Sequence, residues 1–133
     1  MSEIYNLIVI IDDDVTNNLI CESLLYSAKI AKTIKSFDNV EEGLAFIKKI
    51  QNQADFPAVI FLDLNFPEYE LNGWDFLLEY KEIVLQKHYK CDLYILTSSI
   101  SKNDIKKAKN ENIIADFISK PLSKEKILKL LNK

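Results

Sequence analysis

Five short apolar segments recur along the chain, separated by stretches in which apolar residues return at helical spacing. The apolar segments cover residues 4–11, 33–37, 57–62, 93–96 and 115–118. Strands of a parallel sheet are buried on both faces and therefore form continuous apolar runs rather than alternating ones. The pattern predicts an α/β domain in which five parallel strands alternate with helices.

The intervening stretches predict helices at residues 15–28, from 39 to about 51, at 73–86, from 102 to about 111, and after 123. Side chains suited to N-caps precede them: Asp14, Asp38 (in a capping box with Glu41), Ser101 and Ser123. Two helices should turn apolar stripes toward the core. The stripes are Val15, Leu19, Leu24, Leu25 and Ala28 in the first helix, and Trp74, Leu77, Leu78 and Leu85 in the third.

Length and composition fit one ordinary globular domain. The chain has 133 residues, of which 48% are hydrophobic and 28% charged, so we expect a single domain over residues 1–133 and no output domain. The longest uncharged apolar run, residues 7–11, is too short to span a bilayer. The acidic Glu3 before that run fits a strand better than a signal peptide. A cytoplasmic location without membrane association is therefore expected.

Several classes of site are excluded by residue counts. A single histidine, His88, rules out a multi-histidine metal site. The two glycines, Gly43 and Gly73, are too few for a dinucleotide-binding or Walker A loop. Cys21 and Cys91 do not form a disulfide framework, and buried thiols without chemistry are the simplest interpretation.

The basic residues are all lysines, which removes bidentate arginine recognition of phosphate or guanine. Residues 1–101 hold 8 Lys and 16 acids, a net charge of −8, whereas residues 102–133 hold 9 Lys and 4 acids, a net charge of +5. Acids interleave with the lysines of that second region, which is typical of solvated helical faces. We expect no direct contact with nucleic acid.

Polar residues follow four of the predicted strands, where each strand ends. They are Asp12, Asp13 and Asp14 after the first strand, Asp63 after the third, Thr97 after the fourth and Lys120 after the fifth. Ligands of open α/β sheets bind beyond the carboxyl ends of the strands. These carboxylates, the hydroxyl and the ammonium group should therefore converge at one edge. Asp14 is more simply the N-cap of the first helix.

The set has the composition needed for phosphoryl transfer. Asp12, Asp13 and Asp63 would repel one another and raise at least one pKa unless a cation binds, and Mg²⁺ is the natural cation for carboxylates. Lys120 could neutralise phosphoryl oxygens as a point charge. Asp63 could act as a nucleophile that becomes an acyl phosphate.

These residues and their surroundings resemble the receiver domain of two-component response regulators. The matching motifs are Val9-Ile10-Ile11-Asp12-Asp13-Asp14, Phe61-Leu62-Asp63-Leu64-Asn65-Phe66-Pro67, Ile95-Leu96-Thr97-Ser98-Ser99 and Phe117-Ile118-Ser119-Lys120-Pro121. The resemblance implies a doubly wound, flavodoxin-like (βα)5 fold. That fold is a three-layer sandwich around a parallel five-stranded sheet with strand order 2-1-3-4-5.

The resemblance also implies a role for each matching residue. Asp63 would accept a phosphoryl group from a histidine kinase or a histidine phosphotransfer protein. Mg²⁺ would be held by Asp13, Asp63 and the backbone carbonyl of Asn65, with Asp12 acting directly or through water. Thr97 and Lys120 would contact the phosphoryl group, and the Lys120–Pro121 bond is expected to be cis.

Further positions are implied to tune or transmit the signal. Thr97 and Phe117 would form the switch, and Asn65 and Ser99 would tune self-hydrolysis. The face formed by the fourth helix, fifth strand and fifth helix would shift and reach an unknown downstream protein, or pass the phosphoryl group onward. Such a domain acts as a stand-alone switch rather than a turnover enzyme. The phosphodonor would dock on the first helix, at Asn17, Asn18, Leu19 and Glu22.

The chain departs from the family pattern at two places, and alternatives remain open. The loop Glu68–Asn72 is longer by two residues, and Phe117 stands where tyrosine is commoner and could equally be plain core packing. One alternative function is a receiver-fold binding module that does not switch. Another is a phosphatase with an aspartate nucleophile, although Asn65 stands where that class needs a second acid. Oligomeric state stays open.

Overall fold

The computed structural model describes residues 5–51, 56–87, 91–97, 102–109 and 111–131. Strands and helices alternate along the chain, as the apolar pattern predicted. The strands are β1 (Tyr5–Ile11), β2 (Ala31–Phe37), β3 (Val59–Leu62), β4 (Asp92–Thr97) and β5 (Ile114–Ser119). The helices are α1 (Val15–Ser27), α2 (Val40–Ile50), α3 (Gly73–Lys87), α4 (Lys102–Lys109) and α5 (Lys124–Leu131).

The five strands form one parallel sheet in the order β2-β1-β3-β4-β5, which confirms the expected topology. β2 begins two residues earlier than predicted because Ala31 pairs with Tyr5 at the start of β1. β3 begins two residues later, at Val59, which pairs with both Ile8 and Asp92. β2 lies on one side of β1 and β3 lies on the other. The carboxyl ends of β1 and β3 are therefore side by side.

Helices cover both faces of the sheet and give a three-layer domain. Alternate residues of β1 enter two separate cores, because successive strand residues point to opposite faces. The first core joins the sheet to α2 and α3 and includes Val9, Ile11, Leu44, Ile47, Phe76 and Tyr80. The second joins the sheet to α1 and α5 and includes Ile8, Ile10, Cys21, Leu25 and Ile127.

The helix caps follow the predictions at two ends and differ at one. Asp14 accepts a hydrogen bond from the Asn17 amide at 3.0 Å, and Ser123 accepts one from the Lys126 amide at 3.2 Å. The N-cap pair of α2 lies one residue later than the predicted Asp38-x-x-Glu41 pair. Its members are Asn39 and Glu42, joined by a 2.8 Å bond from the Glu42 amide to Asn39 Oδ1. Ser101 lies outside the described residues.

The predicted apolar stripe of α3 was wrong in part. Leu77 is buried as predicted, but Leu78 and Leu85 are 69% and 59% exposed, and Phe76, Tyr80 and Ile83 are buried in their place. Phe76 and Tyr80 stack with ring centroids 5.7 Å apart. These two rings bury more apolar area than leucines could, so they set the rotation of the helix.

The stripe of α1 also differs from the prediction. Leu25 is buried as predicted, and Leu24 and Ala28 pack against the same core. Val15 and Leu19 are instead 55% and 62% exposed, and Asn18 and Cys21 are buried. The rotation brings Asn18 to the end of β1, where its side chain has a hydrogen-bond partner. None of the helices in the described ranges is long and apolar enough to cross a membrane.

Candidate functional site

Three carboxylates meet where β1 and β3 end. The pairing of Ile11 with Leu62 places the next residues side by side, and the Asp63 amide donates to the Ile11 carbonyl at 2.9 Å. As a result, one carboxylate oxygen from each of Asp12, Asp13 and Asp63 lies within 4.8 Å of the others. Asp12 and Asp63 are buried, whereas Asp13 is half-buried. The predicted cluster therefore forms, with one member facing solvent.

Lys120 joins this cluster from the end of β5. Its Nζ lies 2.6 Å from Asp12 Oδ2 and 3.1 Å from Asp63 Oδ2. The Lys120 amide donates to the Thr97 carbonyl at 2.9 Å, which fixes the segment that carries the side chain. The Lys120–Pro121 bond is cis, as the family resemblance implied. One ammonium group thus bridges the two buried carboxylates.

The electrostatics of the cluster follow from burial and from the excess of negative charge. The pKa of Asp12 is raised to about 6, chiefly by burial and in part by the charge of Asp63, while Lys120 and the Asp14 amide oppose the shift. Burial and the charge of Asp63 also raise the pKa of Asp13. For Lys120, burial alone would lower the pKa, but its two carboxylate partners outweigh this and raise it.

Asp12 is held by α1 as well as by Lys120. Its Oδ1 accepts from the Asp14 amide at 2.9 Å, and its Oδ2 accepts from Asn17 Nδ2 at 3.0 Å. Asn18 Nδ2 donates to the Asp12 backbone carbonyl at 2.9 Å. These supporting roles were not predicted from the sequence. The available signal was the position of both asparagines in the first turn of the helix that follows an acidic strand end.

The segment after Asp63 is packed tightly against the start of α3. Asp63 Oδ1 accepts from the Asn65 amide at 3.1 Å, and the Gly73 amide donates to the Leu64 carbonyl at 3.1 Å. A Cβ on Gly73 would overlap the Asp63 carbonyl oxygen, and it would lie 2.6 Å from the Leu64 Cα. Glycine is required here for close approach of two backbones. The position of Asp63 therefore depends on α3 as well as on the sheet.

Comparison with known protein families tests the resemblance on the whole chain. The family model described as the response regulator receiver domain matches residues 8–132. The chain belongs to this family. Receiver domains are signalling modules with a phosphoacceptor role in two-component systems, and not turnover enzymes.

Solved structures support the same fold for this receiver domain. A two-component response regulator from Cytophaga hutchinsonii is 22% identical, with 98% of this chain and 96% of that one covered and a TM-score of 0.87. A response regulator receiver protein from Dyadobacter fermentans is 26% identical, with coverages of 92% and 95% and a TM-score of 0.73. A chemotaxis protein from Vibrio cholerae is 23% identical, with 96% of each chain covered and a TM-score of 0.72. No curated protein sequence matches the chain significantly.

Two of the remaining predicted positions of the receiver domain lie on β4 and β5. Thr97 is buried at the last position of β4 and pairs with Ser119. Phe117 is half-buried and packs against the core that contains α2 and α3. Asn65 is exposed beside Asp63. Ser99 lies outside the described residues.

The donor set of the receiver domain suits a hard divalent cation. Three carboxylates face one another with a single lysine between them, so the cluster keeps a net negative charge when all three are ionised. Oxygen ligands of this kind are those that Mg²⁺ prefers. The exposure of Asp13 leaves one carboxylate open to solvent, where a partly hydrated ion could be received.

Proposed function

We propose that Asp63 accepts a phosphoryl group from a phosphohistidine of a histidine kinase or histidine phosphotransfer protein. The observation that carries the proposal is the convergence of Asp63 with Lys120 Nζ at 3.1 Å and with two further carboxylates within 4.8 Å. This arrangement combines a nucleophile with positive charge for phosphoryl oxygens, and phosphoryl transfer depends mainly on positioning and charge neutralisation.

In the proposed reaction, a carboxylate oxygen of Asp63 forms a bond to phosphorus as the bond from phosphorus to the donor imidazole breaks. The electron pair of that bond leaves with the imidazole. Lys120 holds Asp63 through one oxygen and the Asn65 amide holds it through the other, so the carboxylate is oriented before the donor arrives. Preorganisation of this kind lowers the entropic cost of the transfer.

Asp12, Asp13, Asp63 and the backbone carbonyl of Asn65 would hold Mg²⁺. The bound ion would neutralise charge on the phosphoryl oxygens, which Lys120 alone cannot balance in this acidic site. Lys120 then serves two purposes in this chain. It pairs with Asp12 and Asp63 before phosphorylation, and it offers an ammonium donor to the phosphoryl group afterwards.

The signal would leave the site through Thr97, Phe117 and the face made by α4, β5 and α5. The support for this route is the light anchoring of α4, in which Ala108 is buried, Ile105 is half-buried and Lys106 is exposed. Elements with few buried contacts rearrange at low cost. Asn65 and Ser99 would tune the lifetime of the phosphoryl group. Action through an unidentified downstream protein and a cytoplasmic location stay predictions.

The direct experiment is intact-mass measurement after incubation with acetyl phosphate and Mg²⁺. The proposal expects one phosphoryl adduct, which is lost in Asp63→Asn and when EDTA removes the metal. Asp92→Asn is the matched control, because Asp92 is exposed at the opposite end of the strands, and it should label like the unmodified chain. An adduct that persists in Asp63→Asn would reject Asp63 as the acceptor.

A further inference from the structure

A small groove lies between α3 and the region of α4. Its volume is about 120 Å³, and its lining residues are Trp74, Leu77, Leu78, Lys81, Lys107 and Glu111. A cavity of about 150 Å³ with apolar walls binds benzene, so a groove of this volume suits one aliphatic side chain. None of the lining residues takes part in the proposed phosphoryl transfer.

The α3 side of the groove is apolar and open to solvent. Leu77 is 4% exposed, whereas Trp74 is half-buried and Leu78 is 69% exposed. Leu85 follows Leu78 by two helical turns, so it lies on the same face of α3, and it is 59% exposed. The apolar surface therefore continues from the groove along the helix. Contiguous exposed apolar surface of this kind is typical of protein interaction sites.

The α4 side of the groove is basic. Lys107 Nζ lies over the Trp74 ring, 4.1 Å from its centroid, and the side chain is exposed. Within the described parts of the chain, no carboxylate forms an ion pair with Lys107. Lys81 pairs with Glu111 at 3.2 Å, so these two charges balance each other. Lys107 is left as the unbalanced charge of the groove, and charge complementarity favours a carboxylate beside it.

The two sides together narrow the class of occupant. A small anion would gain nothing from the exposed Leu78 and Leu85. A nucleic acid would be repelled by Glu79 and Glu82, which are exposed on the same helix. An amphipathic helix carries apolar and acidic side chains at helical spacing, and grooves with apolar walls receive such helices through their apolar face.

We propose that the α3–α4 groove binds an amphipathic helix of a partner protein. An aliphatic side chain of that helix would lie between Trp74 and Leu78, and a carboxylate beside it would pair with Lys107. The binding of such a helix does not rest on the proposed function, but its assignment to the downstream protein does. Under that function the groove is placed to report phosphorylation, because Trp74 follows Gly73, which lies against the Asp63 carbonyl, and Lys107 belongs to α4.

The groove is separate from the helix on which the phosphodonor is expected to dock. α3 packs on one face of the sheet and α1 packs on the other. Of the docking positions expected on α1, Leu19 is 62% exposed, but Asn18 is buried and cannot be an exposed docking residue, contrary to the prediction. A partner in the groove would leave the exposed part of α1 free for the donor.

A synthetic helix with leucines along one face and glutamates beside them is a suitable probe for the full chain. One control replaces its glutamates with lysines, and the other replaces its leucines with alanines. Calorimetry should show that the leucine–glutamate helix binds at least about tenfold more tightly than either control. The fluorescence of Trp74, the only tryptophan in the chain, should change on binding and so locate the probe. Equal affinity for the glutamate and lysine helices would overturn the proposal.

Two pairs of variants test which groups are responsible. Leu78→Ala should weaken binding of the probe about tenfold, whereas Leu19→Ala, the same change at a similarly exposed position on α1, should not. Both side chains are exposed, so both variants should fold. Lys107→Gln should weaken binding up to about fivefold, and Lys106→Gln at the preceding position should have a smaller effect. Equal effects within either pair would overturn the proposal.

Sedimentation of the chain alone tests a second copy as the occupant. The proposal expects no association that depends on the groove. Association that grows with concentration and is abolished by Leu78→Ala would assign the groove to a second copy and overturn the proposal.

The outcomes for the groove and for the proposed function can be told apart. Acetyl phosphate labelling without the synthetic helix reports the acceptor alone. Labelling of a chain that does not bind the helix would reject the groove and keep the acceptor. Binding of the helix to a chain that does not label would keep the groove and reject the proposed function.

Discussion

β1 and β3 bury every residue from Leu7 to Ile11 and from Val59 to Leu62, whereas β5 buries Ile118 alone of its six residues. The helices nearby differ in the same way. α2 buries Val40, Gly43, Leu44, Ile47 and Ile50. In α4, Ala108 is the buried residue among those whose side chains are described. The central strands therefore rest on two packed cores, and the β5 edge is thinly covered.

The two regions also differ in how their charges are held. Around Asp12 and Asp63, each oxygen that carries charge has a donor on Lys120, Asn17 or a backbone amide. The lysines of α4 whose side chains are described are exposed, and Lys107 Nζ lies over the Trp74 ring, 4.1 Å from the centroid. The buried carboxylates of the acceptor region are held by several donors, while the described lysines of α4 extend into solvent.

Trp74 connects the two regions. Its neighbour Gly73 lies against the Asp63 carbonyl, and its ring lies under Lys107 of α4. A rigid acceptor beside a weakly held edge is the arrangement that lets a local change in charge shift a population elsewhere. Under the proposed function, stability would come from the central strands and the response from the α4–β5 edge.

The largest expected effect sharpens the contrast in packing. Ile60→Ala in β3 should lower the free energy of unfolding by about 4 kcal/mol, because Ile60 is fully buried and its removal leaves a cavity. Ile105→Ala in α4 should cost only about 1 kcal/mol, since Ile105 is half-buried. Urea unfolding of both variants measures the difference. Equal losses of unfolding free energy would contradict the difference in packing between β3 and α4.

The next effect concerns the electrostatic cost of the acceptor region in metal-free protein. The pKa of Asp12 is about 6 when folded and 3.8 in the reference state, so the folded chain binds this proton more tightly. The contribution of Asp12 to the free energy of unfolding should therefore fall by about 3 kcal/mol as pH rises from about 4 to about 6, and then stay level.

Asp12→Asn removes this titration. The difference in unfolding free energy between Asp12→Asn and the unmodified chain, measured in EDTA, should change between pH 4 and pH 6 in favour of the variant. Urea curves at several pH values supply the measurement. A difference that is constant with pH would contradict the assigned cause.

Two glycines test which contact fixes Asp63. Gly73→Ala places a Cβ against the Asp63 carbonyl and the Leu64 backbone, which cannot move freely, so it should cost about 1–3 kcal/mol. Gly43→Ala meets the end of the Ile11 side chain at 2.7 Å, which can rotate away, so its cost should be smaller. Thermal unfolding ranks the two. A larger loss in Gly43→Ala would contradict the tighter backbone contact assigned to Gly73.

The smallest effect tests the link between the two regions. Lys107→Met removes the cation over the Trp74 ring and should cost at most about 1 kcal/mol, because the contact is partly exposed. It should nevertheless change the fluorescence of Trp74, the only tryptophan in the chain. Lys106→Met changes the preceding residue of α4 and is the matched control. Identical spectra for Lys107→Met, Lys106→Met and the unmodified chain would show that Lys107 does not connect α4 to Trp74.

The sequence allowed the sheet and the acceptor cluster to be predicted because both depend on strand ends. Asp12, Asp63 and Lys120 each follow an apolar run, and parallel topology then brings them together without any knowledge of packing. Thr97 was placed in the same way. These positions are fixed by chain connectivity, which a pattern of apolar runs records directly.

The helix faces could not be predicted as well, because periodicity permits two overlapping stripes. In α3, Leu78 and Leu85 fit the helical spacing as well as Phe76 and Tyr80 do, and only packing against β1 and β3 chooses between them. Asn18 was harder still. A polar residue within a helix indicates an exposed face. The side chain of Asn18 instead has a partner inside the domain, the backbone carbonyl of Asp12.

The most direct test of the account is amide hydrogen exchange with and without beryllium fluoride, a phosphoryl mimic, in the presence of Mg²⁺. The account predicts altered exchange in α4 and β5, residues 102–109 and 114–119, and unchanged exchange in α2, residues 40–50. Asp63→Asn should abolish the difference. Unchanged exchange in α4 and β5 while the mimic is bound, or a change of equal size in α2, would contradict the division between a fixed acceptor and a responsive edge.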